Sequence, residues 1–120
     1  MHLIIRGAIS GKKNRYGQTR TGRRFKPRDV VENESSIVGQ ILEQAGNVSP
    51  FIKPCIVAHF VYSHRGKDLD NMWTMIQDCL VKAGVLNDDN LNNLDGPIVL
   101  TSEYIKGEDY VHLNIVGEQE

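Results

Sequence analysis

CIVAHFVYSHRGKDLDNMWTMIQDCLVKAG, residues 55 to 84, holds in one stretch a strand, a helix and the acidic residues between them. From Cys55 to Tyr62 the chain is dense in β-formers and apolar on both alternating faces apart from His59, the pattern of a central strand. A charged loop, Ser63 to Lys67, follows. Leu69, Met72, Trp73, Ile76, Cys79, Leu80 and Ala83 then recur at helical intervals and mark a helix with one apolar face. Gly84 is placed to end it. Trp73 lies on that stripe and reads as core or subunit interface rather than as a wedge for stacked bases.

Upstream, Leu3 to Ile9 is rich in β-branched residues and reads as an opening strand. The segment GKKNRYGQTRTGRRFKP, from Gly11 to Pro27, has three glycines, one proline and no sustained periodicity. It reads as a mobile basic loop with a short strand near Arg23 to Lys26. Asp29 with Glu32 three residues on forms a capping box, and Ile37, Val38, Ile41, Leu42 and Ala45 continue at helical spacing up to Gly46. Downstream, an Asn- and Asp-rich stretch from Asn87 to Gly96 precedes two strands, about Ile98 to Ile105 and Tyr110 to Val116, joined by a turn at Lys106 to Asp109. The order of elements predicts an α+β fold, a mixed β-sheet with two main helices, in a single domain over residues 1–120 whose basic N-terminal loop covers about 10–28.

A chain of 120 residues can bury roughly two thirds of its unfolded surface, so a core needs no staples. No apolar run approaches the ~20 residues of a membrane span, and residues 2 to 9, interrupted by Arg6, are too short for a signal peptide. A cytoplasmic protein with no membrane partner is expected. Cys55 and Cys79 lack metal-ligand spacing and read as buried free thiols. The four histidines, His2, His59, His64 and His112, show no zinc pattern.

The net charge of −1 conceals a segregation. Residues 1 to 28 hold nine of the fourteen basic residues and no acid, while all fifteen acids fall from Asp29 onward. Arg6, Lys12, Lys13, Arg15, Arg20, Arg23, Arg24, Lys26 and Arg28, interspersed with Asn14, Tyr16 and Phe25, suit a phosphate backbone. If about six of them meet phosphates, log affinity should fall with log salt at a slope near −5. Tyr16 or Phe25 could stack on bases opened at a branch, although Phe25 reads more readily as packing beneath the loop.

The acids suggest chemistry. Asp68 and Asp70 flank one residue, and in an extended segment their carboxylates would project to one side. At ~4 Å two such charges repel by about 4 kcal/mol at an effective dielectric of 20, strain that a cation would relieve. Oxygen-only ligands suit Mg2+, with Mn2+ as the alternative. Asp88 and Asp89 form a second acidic element beyond the helix. Three carboxylates around one metal ion can activate water against a phosphodiester. The bland alternative is that Asp68 or Asp70 caps the helix and Asp88-Asp89 is turn chemistry. DDNLNNLDG, from Asp88 to Gly96, lacks the glycine and glutamate of a calcium loop.

KKNRY at Lys12 to Tyr16, the basic loop, the strand leading to DLDN at Asp68 to Asn71, and AGVLNDD at Ala83 to Asp89 together resemble the RusA family of Holliday-junction resolvases over nearly the whole chain. The resemblance implies a homodimeric, magnesium- or manganese-dependent endonuclease that resolves four-way junctions by symmetric paired nicks. It implies Asp68, Asp70 and Asp89 as the essential acids and metal ligands, while the charge pattern makes Lys12, Lys13, Asn14, Arg15, Tyr16, Arg20, Arg23, Arg24 and Lys26 the expected DNA-contacting set. One departure stands out. Where the family carries a lysine four residues after the second aspartate of DxDN, this chain has Thr74, which cannot supply a positive charge. Lys67 is the preferred substitute, with Arg65 or a basic-loop residue as alternatives; a resolvase-like module that binds without cutting, or a nuclease for other branched DNA, is the rival reading.

Geometry also sets a condition. A helix from about Asn71 to Ala83 is ~20 Å long, which separates Asp70 from Asp89. Residues Gly84 to Asp89, fully extended, span just enough to fold back. Otherwise the third acid comes from a second subunit.

Overall fold

The computed structural model describes residues 1–9, 17–18, 24–25, 28–64, 68–87 and 96–120, with the backbone only at 17–18 and 24–25. The elements in chain order are β1 (His2–Arg6), β2 (Gly17–Gln18), β3 (Arg24–Phe25), α1 (Arg28–Ala45), β4 (Phe51–Tyr62), α2 (Leu69–Lys82), β5 (Ile98–Tyr104) and β6 (Tyr110–Gln119). The main sheet has the order β1-β6-β4-β5. β6 runs antiparallel to both β1 and β4, while β4 and β5 are parallel. The mixed sheet and two helices expected from the sequence are present.

β5 and β6 are joined by the expected turn, yet they do not pair with each other. They flank β4 on its two sides, so the chain crosses over β4 instead of closing a hairpin. β4 is also longer than its apolar run. Pro54 cannot donate to a ladder, and the structure accommodates it at an irregularity between Ile52 and Cys55, where Lys53 has φ 46°.

Both helices cover one face. Leu3 and Ile5, Ile56, Ala58 and Phe60, and Val111, Leu113 and Ile115 point into that layer. α2 answers with Met72, Trp73, Met75, Ile76, Cys79 and Leu80, and each such burial contributes ~1.5–3 kcal/mol. Trp73 is therefore core. The alternate residues Ile4, Val57, Val99 and Val116 are exposed, so β4 is not buried on both faces as its composition suggested. Of the two thiols, Cys79 is buried and Cys55 only half-buried.

α1 turns most of its expected apolar stripe inward, with Val38 and Ala45 packed against the core, and extends it to Val30 and Glu34. Val30, Glu34, Ile37 and Ile41 are buried, whereas Leu42 is exposed. Glu34 is tolerated there because Lys82 of α2 meets its carboxylate at 2.5 Å. Asp29 lies inside the helix, in its first turn, rather than at a cap position.

The outer edge of β1 is closed by side chains rather than by a strand. Gln44 accepts from Ile4 N at 2.8 Å and donates to Ile4 O at 2.7 Å, and Gln40 does the same for Arg6 at 2.7 and 3.0 Å. Asn33 donates to Ala8 O. These carboxamides occupy the hydrogen-bonding groups that would otherwise template another chain.

Candidate functional site

β1, β4 and β5 run in one direction, so their carboxyl ends share one edge of the sheet, the edge at which open α/β sheets place their ligands. The turn between β5 and β6 closes over it, with Ile105 N bound to Tyr62 O and Gly7 N to Asp109 O. α1 runs antiparallel to β1, as the contacts of Asn33, Gln40 and Gln44 show. The segment between Ile9 and Arg28, with half of the chain's cations, therefore leaves and re-enters the fold at this same edge.

α2 starts there too. Asp68 is its N-cap, with extended backbone at φ −97° and ψ 121°, and its Oδ1 accepts from Asp70 N at 2.9 Å and Asn71 N at 3.4 Å. The capping alternative for Asp68 is thus realised. The extended geometry expected across DLDN ends at Asp68, because Leu69 and Asp70 are already helical. Capping uses Oδ1; Asp70 sits in the first turn with its side chain exposed, where the helix dipole favours negative charge. Asn71 Oδ1, one residue further along, is shut off from solvent without a hydrogen-bond partner among the described residues. Thr74, where the resemblance led one to expect a lysine, donates its hydroxyl to Asp70 O at 2.9 Å, so that group is spent on the helix backbone.

A second network lies at the same end of the sheet, just past β4. Asp109 accepts from Ser63 N at 3.0 Å and from Ser63 Oγ at 2.5 Å, and that Oγ lies 3.0 Å from His64 Nδ1. A carboxylate can only accept, so the serine proton points to Asp109 and the serine oxygen accepts from His64 Nδ1–H. That contact engages Nδ1 of His64, a residue exposed to solvent. Nothing in the spacing of residues 63 and 109 could have signalled this; the sheet crossover alone brings them together.

Of the site residues read from sequence, the structure brings Asp68 and Asp70 together. Lys67 and Asp89 lie outside the described residues, as do Lys12, Lys13, Asn14, Arg15, Tyr16, Arg20, Arg23 and Lys26. Arg24 is on β3, which pairs with β2 in a two-stranded ribbon, Gly17 opposite Phe25 and Gln18 opposite Arg24. The side chains of Arg24 and Phe25 are likewise outside the description. Among the described residues no three Asp, Glu, His or Cys side chains form a metal-ligating group.

The chain is similar to a crossover junction endodeoxyribonuclease. The relative is RusA of Aquifex aeolicus (strain VF5), 32% identical over 81 residues, which cover 67% of this chain and 64% of that protein. No family model matches the chain. The likeness supports a RusA-like assignment, with which the α+β architecture is compatible. No helix among the described residues is long and apolar enough to cross a membrane.

The far end of the sheet matters for the second acidic element. Val85 N and Leu86 N both return to Leu80 O, and Leu86 bridges Phe51 at the start of β4. Asn87 bonds to Glu120, whose own N–H reaches Pro50 O. Gly96, where the description resumes, is pressed against Pro54. Both anchors of residues 88–95 therefore stand at the end of the sheet opposite Asp68 and Asp70, with the 14-residue α2, ~21 Å long, between them.

Proposed function

We propose that this chain is a divalent-metal-dependent endonuclease for branched DNA, resolving four-way junctions by paired nicks as a two-fold dimer. The observation that carries the reading is the placement of Asp68 and Asp70 at the edge of the sheet from which the acid-free basic segment springs. Polyanion affinity and carboxylate chemistry meet on one side of the fold.

The oxygen donors suit the ion. Asp68, Asp70 and the orphaned Asn71 Oδ1 are hard ligands of the kind Mg2+ and Mn2+ prefer, and Asp68 keeps its second carboxylate oxygen outside the cap. Asp68 and Asp70 would hold the ion with Asp89. When bound, it polarises the phosphodiester and acidifies water. The cap interaction fixes the Asp68 side chain before DNA arrives, so little ordering remains to be done. Lys67 supplies the positive charge that Thr74 lacks, and His64 Nε2 is held ready to take or return a proton. The cations from Lys12 to Lys26 bind phosphates without reading sequence.

A third acid from the same chain faces a geometric obstacle. Four of the six residues available for folding back, Gly84 to Asn87, are committed to the far end of the sheet. Two further peptide units reach at most ~7 Å. This favours Asp89 of the partner subunit as the third ligand. A two-fold axis would bring opposite ends of two sheets together and generate two equivalent sites for two opposed strands.

One observation favours the rival, a resolvase-like module that binds without efficient cutting. The Thr74 hydroxyl is engaged with the helix and offers nothing to a phosphate. Labelled four-way junction, linear duplex and flap DNA, each incubated with Mg2+ and either wild type or Asp70→Asn, separate the two. Paired nicks confined to the junction and lost in the variant are expected. Tight binding with no magnesium-dependent nick would leave the module.

A further inference from the structure

The open face of the sheet carries a hollow of about 400 Å3 that none of this chemistry uses. Ile4, Arg6, Tyr110 and His112 line it from adjacent positions of β1 and β6, since Ile4 pairs with His112 and Arg6 with Tyr110. Glu108, from the turn before β6, forms its lip. The volume is at the lower end for small-molecule sites, suited to one nucleotide and too small for a duplex.

Its chemistry is mixed in a specific way. Ile4 is 41% exposed, an apolar floor open to solvent. Tyr110 and His112 supply ring surfaces, and the His112 ring lies in tilted contact with that of His2 at a centroid distance of 5.7 Å. Arg6 and Glu108 have no ion-pair partner among the described residues, so a fixed cation and a fixed anion face the same hollow uncommitted. Flat rings over an aliphatic floor take a flat π-system, a guanidinium takes a phosphate, and a carboxylate accepts from an amino group.

We infer that this hollow is a binding site for a single unstacked nucleotide, with its phosphate on Arg6, its base against Ile4, Tyr110 and His112, and an exocyclic amino group on Glu108. The inference rests on the nucleic-acid reading for its biological setting, a nucleotide released from stacking at a branch point. Arg6 ends β1, three residues before the basic segment, so a strand held by that segment passes close by. Glu108 makes the site selective. Adenine, cytosine and guanine present an amino donor, whereas thymine presents carbonyl oxygens and would be disfavoured.

The test needs no cleavage. Isotope-labelled full-length protein is titrated with dAMP, dCMP and dTMP, and the ring resonances of His112 and Tyr110 and the Arg6 Nε–H are followed. Saturable shifts at all three are expected, with dAMP and dCMP binding several-fold more tightly than dTMP. Arg6→Ala should weaken all three ligands, and Glu108→Gln should erase the discrimination. Silence at His112 and Tyr110 up to about 10 mM nucleotide, where only affinities too weak to matter remain, overturns the site. So do shifts that persist unchanged in Arg6→Ala. A parallel arm compares a fully paired junction with one bearing an unpaired nucleotide at the branch. If the mononucleotides bind and neither junction is bound or cut, the nuclease reading falls and the pocket stands; cleavage without nucleotide shifts gives the reverse.

Discussion

Replacing Asp68 in two ways separates its two duties. Its Oδ1 receives two backbone N–H groups at the start of α2. Asp68→Ala removes that acceptor, and losing such a cap costs roughly 0.5–2 kcal/mol, typically ~1. For 120 residues the unfolding entropy is ~0.25 kcal/mol/K, so ~1 kcal/mol lowers the Tm by ~4 °C. Asp68→Asn keeps an acceptor oxygen of similar capping strength and loses only the charge, whose interaction with the helix dipole is worth ~0.3–1 kcal/mol at an exposed site. Relief of repulsion from Asp70 acts in the opposite direction, and a Tm within ~2 °C of wild type is expected. On the proposed nuclease reading both variants lose magnesium-dependent nicking of a four-way junction, because neither a methyl group nor a neutral carboxamide replaces a carboxylate as a ligand for the ion. Thermal melts alongside a nicking assay read both effects. Full nicking by Asp68→Asn, or equal Tm losses in the two variants, would refute the division of labour between Oδ1 and the charge.

Other perturbations follow from the same geometry. Gln40→Ala with Gln44→Ala removes four hydrogen bonds to β1; water replaces part of them, so urea denaturation should show a loss of ~1–2 kcal/mol, and hydrogen exchange at the Ile4 and Arg6 amides should accelerate. Unchanged protection there would mean that the carboxamides do not close the edge. Gly96→Ala places a Cβ 2.1 Å from Pro54 O and 2.7 Å from Lys53 O, and overpacking of this kind should cost ~1–3 kcal/mol in the same denaturation experiment. Lys67→Ala should reduce nicking by about a hundred-fold with DNA affinity nearly unchanged, the loss expected for a group that stabilises charge as it develops. Wild-type nicking in that variant would end its role.

Much of the fold was legible. The strand from Cys55 and the stripe from Leu69 to Leu80 carry strong periodicity, and Gly84, at φ 82°, ends α2 where a left-handed residue was needed. What sequence reading missed depends on tertiary placement. Gln40 and Gln44 look like an ordinary polar face until β1 lies beside them. Glu34 breaks the apolar pattern of α1, so its inward position could not be read before Lys82 was brought across from α2. The last two strands are joined by a short turn that suggests a hairpin, and only the pairing of each with β4 excludes one. At the candidate site the local geometry expected of DLDN differs from the one observed, since a strand-like projection was expected where a helix begins. The link of Ser63 and His64 to Asp109 carried no sequence signal.

Mixing two inactive variants tests most directly whether the acids meet across subunits. Asp70→Asn and Asp89→Asn homodimers are combined, allowed to exchange, and assayed on a labelled four-way junction with Mg2+. If Asp68 and Asp70 of one subunit work with Asp89 of its partner, each mixed dimer holds one intact site and one doubly altered site, so single-strand nicks return at about a quarter of the wild-type rate. If every mixture stays as inactive as its parents after confirmed exchange, a site shared between subunits is contradicted.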